Sequence, residues 1–295
     1  MPVSEPPPAT PGTRIRWDRQ RETRFPFGRR LPGAEDIEAM GFPPPWIDRP
    51  WIYATMVCSA NGAVAWHRAG PGDDPVLAIL GGDEARPERE ADRRHVRHLR
   101  CYGDVAIGAQ TLREQPGLVQ TPQEPGDPPA PALYGFRLAH GLPFHPRHVI
   151  YSRSGAIDLT LPVFNTPGID AIVVTTRAGA DRLRASGAAS RGIDLVADAL
   201  DTPEGLRRAH ERLFADRGVR YLDCEGGETV LEALRAAGLL DEIFLTVTDV
   251  VVDSRRHTGV QTIPGGTLAG ADLIAEGSAG AAGAWRFQRW RLNPR

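Results

Sequence analysis

The pattern of apolar and polar positions changes character near Trp51. Before it, residues 1 to about 45 carry many prolines and arginines with little periodicity, which reads as an arm or linker contributing nothing to a core. WIYATMVCS, from Trp51, is a buried-strand run, and the turn signal Asn61-Gly62 follows it directly. Asp83 to Arg100, DEARPEREADRRHVRHLR, has helical composition, with Val96 and Leu99 apolar three apart. A short strand at Val105 to Ile107 comes next, then proline-rich loop from Pro116 to Pro131 and a short helix around Leu133 to His140. Beyond that point the alternation is regular. HVIYS, AIVVTT, IDLVAD and VRYLDC read as strands, while DRLRASG, PEGLRRAHERLFADRG and ETVLEALRAAG read as helices. EIFLTVTDVVV is a long strand and WRFQRWRL the last one.

Strands alternating with helices imply βαβ units and a largely parallel sheet. The two final strands enclose a loop with no clear helix, so an antiparallel pair at a sheet edge fits them better. The fold expected is therefore α/β, a mainly parallel twisted sheet flanked by helices with antiparallel C-terminal edge strands. The expected domain plan is an arm over 1–45 and one domain over 46–295.

Composition narrows the function more than the fold. The 295 residues are 41% hydrophobic and 24% charged with a net charge of −2, so no global positive field draws in nucleic acid or an anionic membrane. The arginines of Asp83 to Arg100 alternate with acids, which reads as a solvated helix face, with His95 and His98 solvated on it. The opening MPVSEPPPATPGTR lacks the apolar stretch of a signal peptide, and no segment reaches the roughly 20 apolar residues of a membrane span. Cys58, Cys101 and Cys224 form no CxxC pair, and the eight histidines show no metal-ligand spacing. Buried free thiols in a reducing cytoplasm, and no metal, are the expectation.

In an open α/β sheet, ligands sit beyond the carboxyl ends of strands, which directs attention to three junctions. Glu225-Gly226-Gly227-Glu228-Thr229 follows VRYLDC and opens a helix. Its glycines permit close backbone approach, and the helix N-terminus suits a pyrophosphate; a plain tight turn explains the glycines equally well. Gly108-Ala109-Gln110-Thr111 lacks a full GxGxxG but could offer backbone donors as a loop. Ser152-Arg153-Ser154 sets a guanidinium between hydroxyls, and Thr175-Thr176-Arg177 offers a similar set. Either suits a ribose 2′-phosphate, and either is equally readable as a basic surface loop.

Taken in order, four stretches carry a family resemblance: RPWIYATMVCSANGAVA, ADRRHVRHLRCYGDVAIGAQT, PRHVIYSRSG and YLDCEGGETVLEALRAAGLLDEIFLTVTDVVV. The chain resembles the riboflavin-pathway pyrimidine reductases, relatives of the RibD C-terminal domain within the dihydrofolate reductase superfamily. The resemblance implies an NADPH-dependent reductase of 5-amino-6-(5-phosphoribosylamino)uracil or a related pyrimidine, acting in the cytoplasm as a homodimer. It places Gly108, Ala109, Gln110, Thr111, Gly226, Gly227, Glu228 and Thr229 against the nicotinamide ribose and pyrophosphate. Ser152, Arg153, Ser154, Thr175 and Thr176 would hold the 2′-phosphate side, and Ser59, Asn61 and Glu225 would face substrate. Glu225 and Asn61 are the catalytic candidates, Glu225 as a partly buried acid that supplies or orients a proton. Asn61 stands where the family usually has Asp, Gln110 replaces a glycine, and the HxE–PCxxC deaminase signature is absent. A dihydrofolate- or pterin-type reductase and a catalytically inactive NADPH-binding paralogue remain as alternatives.

Overall fold

The computed structural model describes residues 15–20, 42–68, 70, 73–82, 86–123, 129–263, 268–280 and 283–292. Along them run β1 (Arg16–Gln20), β2 (Trp51–Cys58), β3 (Ala63–Ala65), α1 (Pro75–Ile79), α2 (Pro87–Leu99) and β4 (Asp104–Gly108). Next come α3 (Ala109–Glu114), α4 (Pro131–Ala139), β5 (His148–Ser152), β6 (Ala171–Thr175), α5 (Arg177–Ala185) and β7 (Asp194–Ala197). The chain continues through α6 (Pro203–Arg217), β8 (Tyr221–Cys224), α7 (Glu228–Ala236) and β9 (Glu242–Val247). It closes with β10 (Gln261–Thr262), β11 (Asp272–Ala279) and β12 (Trp285–Arg291). The elements make up a mixed α/β fold, with helices flanking a mainly parallel sheet and antiparallel strands toward the C-terminal end.

The chain divides into two compact units. The larger takes the described residues within 22–55, 96–243 and 292, the smaller those within 15–20, 56–95 and 244–291. β2, α2 and β9 each pass from one unit to the other along their length.

In the larger unit the strand order is β2-β8-β4-β5-β6-β7, and every pairing is parallel. β4, β5, β6 and β8 are buried at every residue, the apolar texture of strands covered on both faces. Val105, Ile107, Ile150, Val173 and Leu183 form the heart of one core cluster. A second group is aromatic. Phe42 stacks on Tyr53 with ring centroids 4.5 Å apart and meets Tyr102 edge-on at 4.7 Å. Phe42 is wholly buried, so the arm does reach the core, contrary to the expectation from its composition.

In the smaller unit β11 pairs antiparallel with β1 on one side and β12 on the other, and β12 neighbours β9. Two parts of the sequence reading change here. β12 does lie beside β9, but β11, which the sequence did not announce, flanks it on the other side; DLIAEGSA has Ile274 as its one β-branched residue and no aromatic. β9 also stops at Val247 rather than running on to Val252. The cause is local. Thr248 accepts from the Val250 amide on its own hydroxyl, and this hydrogen bond competes with the ladder.

α2 departs furthest from expectation. Asp92, His95, Arg97 and Arg100 are all buried, not solvated; residues 83–85 of the predicted helix lie outside the described residues. Asp92 accepts from the Thr246 hydroxyl at 2.6 Å, and the His95 ring packs against Phe244 and Phe287. The polar groups are buried because each has a partner. Cys58, Cys101 and Cys224 are buried and free, as expected.

Candidate active site

The two glycine-bearing junctions of the larger unit meet. β4 passes into α3 at Gly108 without a connecting loop, so Ala109, Gln110 and Thr111 form the first turn of a helix where the sequence suggested a loop. β8 passes into α7 through Glu225, Gly226 and Gly227. Gly226 (φ 150°) and Gly227 (φ 86°) hold backbone conformations that side chains resist. A Cβ on Gly227 would stand 3.7 Å from the Gly108 Cα and 3.6 Å from the Thr111 hydroxyl oxygen. A Cβ on Gly108 would press on Val230 at 3.3 Å. Gly108, Thr111, Gly226 and Gly227 therefore converge because β4 and β8 are neighbours. The N-cap residues, Gly108 and Gly227, have no side chain to cap either helix. Gln110, Glu228 and Thr229 are exposed at this end, and the Gln110 amide binds Glu114 at 2.7 Å.

The second cluster lies at the ends of β5 and β6. Gly155 and Gly179 bring the two loops so close that a Cβ on Gly155 would fall 2.3 Å from the Gly179 carbonyl oxygen. The hydroxyls of Thr175 and Thr176 donate to the Arg153 carbonyl at 3.4 and 2.8 Å, and Thr176 caps α5 by accepting from the Gly179 amide. Ser152 is buried. Arg153 and Ser154 project from the loop as its exposed polar side chains.

Glu225 sits among partners that the sequence did not point to. Arg100 grips it in a fork, Nε to Oε1 at 2.5 Å and Nη2 to Oε2 at 2.6 Å. Gln120 donates its side-chain amide to Oε2 at 2.7 Å, and its backbone N–H donates to His148 Nε2 at 2.9 Å. Burial pushes His148 down to about 4, so it serves as a neutral acceptor. The carboxylate is thus tied to side chains, not to the amides of the α7 N-terminus. Two residues earlier Asp223 is completely buried, its Oδ1 accepting from the Thr55 hydroxyl at 2.7 Å. Burial, and then the charge of Glu225, push Asp223 well above the usual carboxylate range. Arg100 was hidden in a charge-rich run and Gln120 in a proline-rich loop. Nothing in the sequence around either residue marks it as a partner of Glu225.

Ser59 and Asn61 belong to the smaller unit. The Ser59 hydroxyl donates to Asn61 Oδ1 at 2.7 Å and accepts from the Ala63 amide at 2.9 Å. Asn61 pairs with both backbone groups of Val252, donating from Nδ2 at 2.9 Å and accepting on Oδ1 at 3.0 Å. An Asp could accept from that amide but would set a carboxylate against the Val252 carbonyl, which accounts for an amide here. Among the described residues, no group of three or more His, Cys, Asp or Glu could hold a metal ion, and no helix is long and apolar enough to cross a membrane.

A family model described as the RibD C-terminal domain matches residues 74–263. The chain belongs to that family. The RibD C-terminal match takes in Gly108–Thr111, Arg100, Gln120, Asp223 and Gly226–Thr229, whereas Ser59 and Asn61 precede it. A pyrimidine reductase-like protein of Corynebacterium diphtheriae shares the fold with a TM-score of 0.57 at 18% identity, over 84% of this chain and 94% of that one. RibD of Acinetobacter baumannii gives 0.58 at 16% identity; 84% of this chain is covered but only 59% of RibD. The riboflavin biosynthesis reductase Rib7 of Saccharomyces cerevisiae gives 0.50 at 14% identity, over 84% and 92%. At these identities the likeness is one of fold, the dihydrofolate-reductase-like α/β architecture. No curated protein sequence matches the chain.

Proposed function

We propose that this RibD C-terminal chain is an NADPH-dependent reductase acting on 5-amino-6-(5-phosphoribosylamino)uracil or a close relative. Membership of the family supports the reaction class, and the convergence of Gly108, Gly226 and Gly227 beside uncapped helix amides is the observation that carries the reading. The cradle has the open, Cβ-free backbone at two helix N-termini that a dinucleotide pyrophosphate requires, so the residues present fit the cofactor. When bound, NADPH supplies the hydride.

The remaining work falls to the chain. The Gly226-Gly227 turn and the first turn of α3 bind the phosphates and ribose through backbone amides, and Thr111 adds a hydroxyl. Arg153 and Ser154, exposed on their loop, bind the 2′-phosphate; a planar guanidinium suits three acceptor oxygens. Glu225 acts as an oriented acceptor. The grip of Arg100 and Gln120 fixes its rotamer, and a fixed carboxylate reads N–H or O–H groups of a substrate at a set distance.

The deciding experiment follows NADPH oxidation by the purified chain, with the pyrimidine phosphate and dihydrofolate offered separately. Turnover of the pyrimidine that is lost on Glu225→Gln supports the reading. Oxidation with dihydrofolate alone overturns the substrate, and absence of NADPH binding overturns the whole reading.

A further inference from the structure

A second carboxyl lies beneath Glu225 with no role in the grip just described. Asp223 has no solvent exposure, and among the described residues its Oδ2 has no hydrogen-bond partner. Its Oδ1 shares a hydrogen with Thr55, whose side chain is only half-buried. The groups facing Asp223 can be named element by element. β2 contributes Tyr53, paired opposite it in register, and Thr55. The residue after α2, Arg100, brings a cation, already in a fork with Glu225 just past the end of β8. β4 sets Val105 opposite it on the other side, and Cys224 adjoins it in the chain. The Tyr53 hydroxyl donates to the Leu99 carbonyl at 2.8 Å, so it is occupied elsewhere.

Two buried carboxyls sharing a single guanidinium cannot both be anions without severe cost, and geometry awards the guanidinium to Glu225. Asp223 is then the neutral member. A neutral Asp223 can donate its proton to the Thr55 oxygen, which turns the Thr55 hydrogen outward. We propose that Asp223 is the proton store of this site, loading the Thr55 hydroxyl, which passes a proton to the group being reduced. The burial and charge environment that pushes Asp223 upward agrees with that role. The inference rests on the reductase reading above.

The balance is simple. Hydride from a dihydronicotinamide adds to the carbon of a C=N or C=O group, and the π electrons move onto the nitrogen or oxygen. That atom takes the Thr55 proton while Thr55 takes the proton of Asp223. The dihydronicotinamide is oxidised, the substrate is reduced, and Asp223 is left as a carboxylate that regains a proton from solvent by way of the half-buried Thr55 hydroxyl. Thr55 would be the catalytic residue and Asp223 the positioning residue behind it.

The test uses the whole chain with Asp223→Asn, Thr55→Val and Thr55→Ser. Infrared spectra of the cofactor-free protein at neutral pH should show a protonated-carboxyl band that Asp223→Asn lacks. With the pyrimidine phosphate, Asp223→Asn and Thr55→Val should each lower kcat by about 100-fold or more, while NADPH affinity holds within a small factor. Thr55→Ser, which keeps the hydroxyl, should recover most of that loss. The wild-type kcat should fall as pH rises through the elevated Asp223 range, and the residual turnover of Asp223→Asn should lose that limb. No such infrared band, or an unchanged rate and pH profile in Asp223→Asn, overturns the relay alone. A wild-type chain that binds no dihydronicotinamide overturns the reductase reading and the relay together.

Discussion

Replacing Arg100 with leucine removes the cation that grips Glu225 in a site that holds two carboxyl groups. The Arg100 and Glu225 side chains are only 7% and 6% exposed, so water cannot take over the role of the guanidinium. Two charged hydrogen bonds disappear, and among the described residues Glu225 keeps Gln120 as its side-chain donor. Breaking a buried pair by removing one partner costs about 3–5 kcal/mol, most of it the uncompensated charge left behind. Removing both charges in Arg100→Leu/Glu225→Gln leaves no stranded anion, so the double variant should be less destabilised than Arg100→Leu alone. The cycle should return a coupling of about 1–3 kcal/mol. Urea unfolding reads all of this from midpoints at constant slope. A loss below about 1 kcal/mol at neutral pH, or single losses that simply add, would refute the reasoning.

Three histidines set the acid limit of the fold. Burial holds His95 near about 3 and His148 and His210 near about 4, below their ordinary value of 6.5. Above pH 6.5 folded and unfolded chains both carry them neutral; below it only the unfolded chain takes up protons, so stability falls by about 1.4 kcal/mol per pH unit per histidine. A urea midpoint flat from pH 6.5 to about 4.5 would contradict this. Gly227→Ala should cost about 1–2 kcal/mol through backbone strain at φ 86°, since the new Cβ meets Gly108 only at an ordinary 3.7 Å, and should weaken NADPH binding; equal stability in urea would count against it. Arg153→Ala should leave the melting temperature unchanged and weaken NADPH by about tenfold while sparing NADH, read by fluorescence titration of both nucleotides. Equal losses for the two would remove Arg153 from the 2′-phosphate.

Much of the frame was legible because local and global signals agree in it. HVIYS and AIVVTT are short runs with apolar, β-branched centres, and ETVLEALRAAG is an amphipathic helix announced by two glycines. The Glu225–Thr229 turn could be located from the chain because Gly226 and Gly227 are required by backbone geometry alone. What stayed hidden depends on partners distant in sequence. Arg100 and Glu225 are 125 positions apart, and nothing near Arg100 says that its guanidinium faces inward. β1 and β11 stabilise each other by ladder bonds, and neither RWDRQ nor DLIAEGSA carries a clear period of two. Asp223 left a readable trace, a carboxyl inside the apolar strand VRYLDC, which is rare without a reason.

The most direct test of the account follows the hydride itself. The chain is incubated with NADPH carrying deuterium at the transferable C4 position and with the pyrimidine phosphate, and the product is examined by mass spectrometry. The account predicts a ribityl product with one deuterium on the carbon that was C1′ of the ribose, formed more slowly at low NADPH by Gly227→Ala. Deuterium that stays wholly in the nucleotide, with the pyrimidine recovered unreduced, would contradict the central claim.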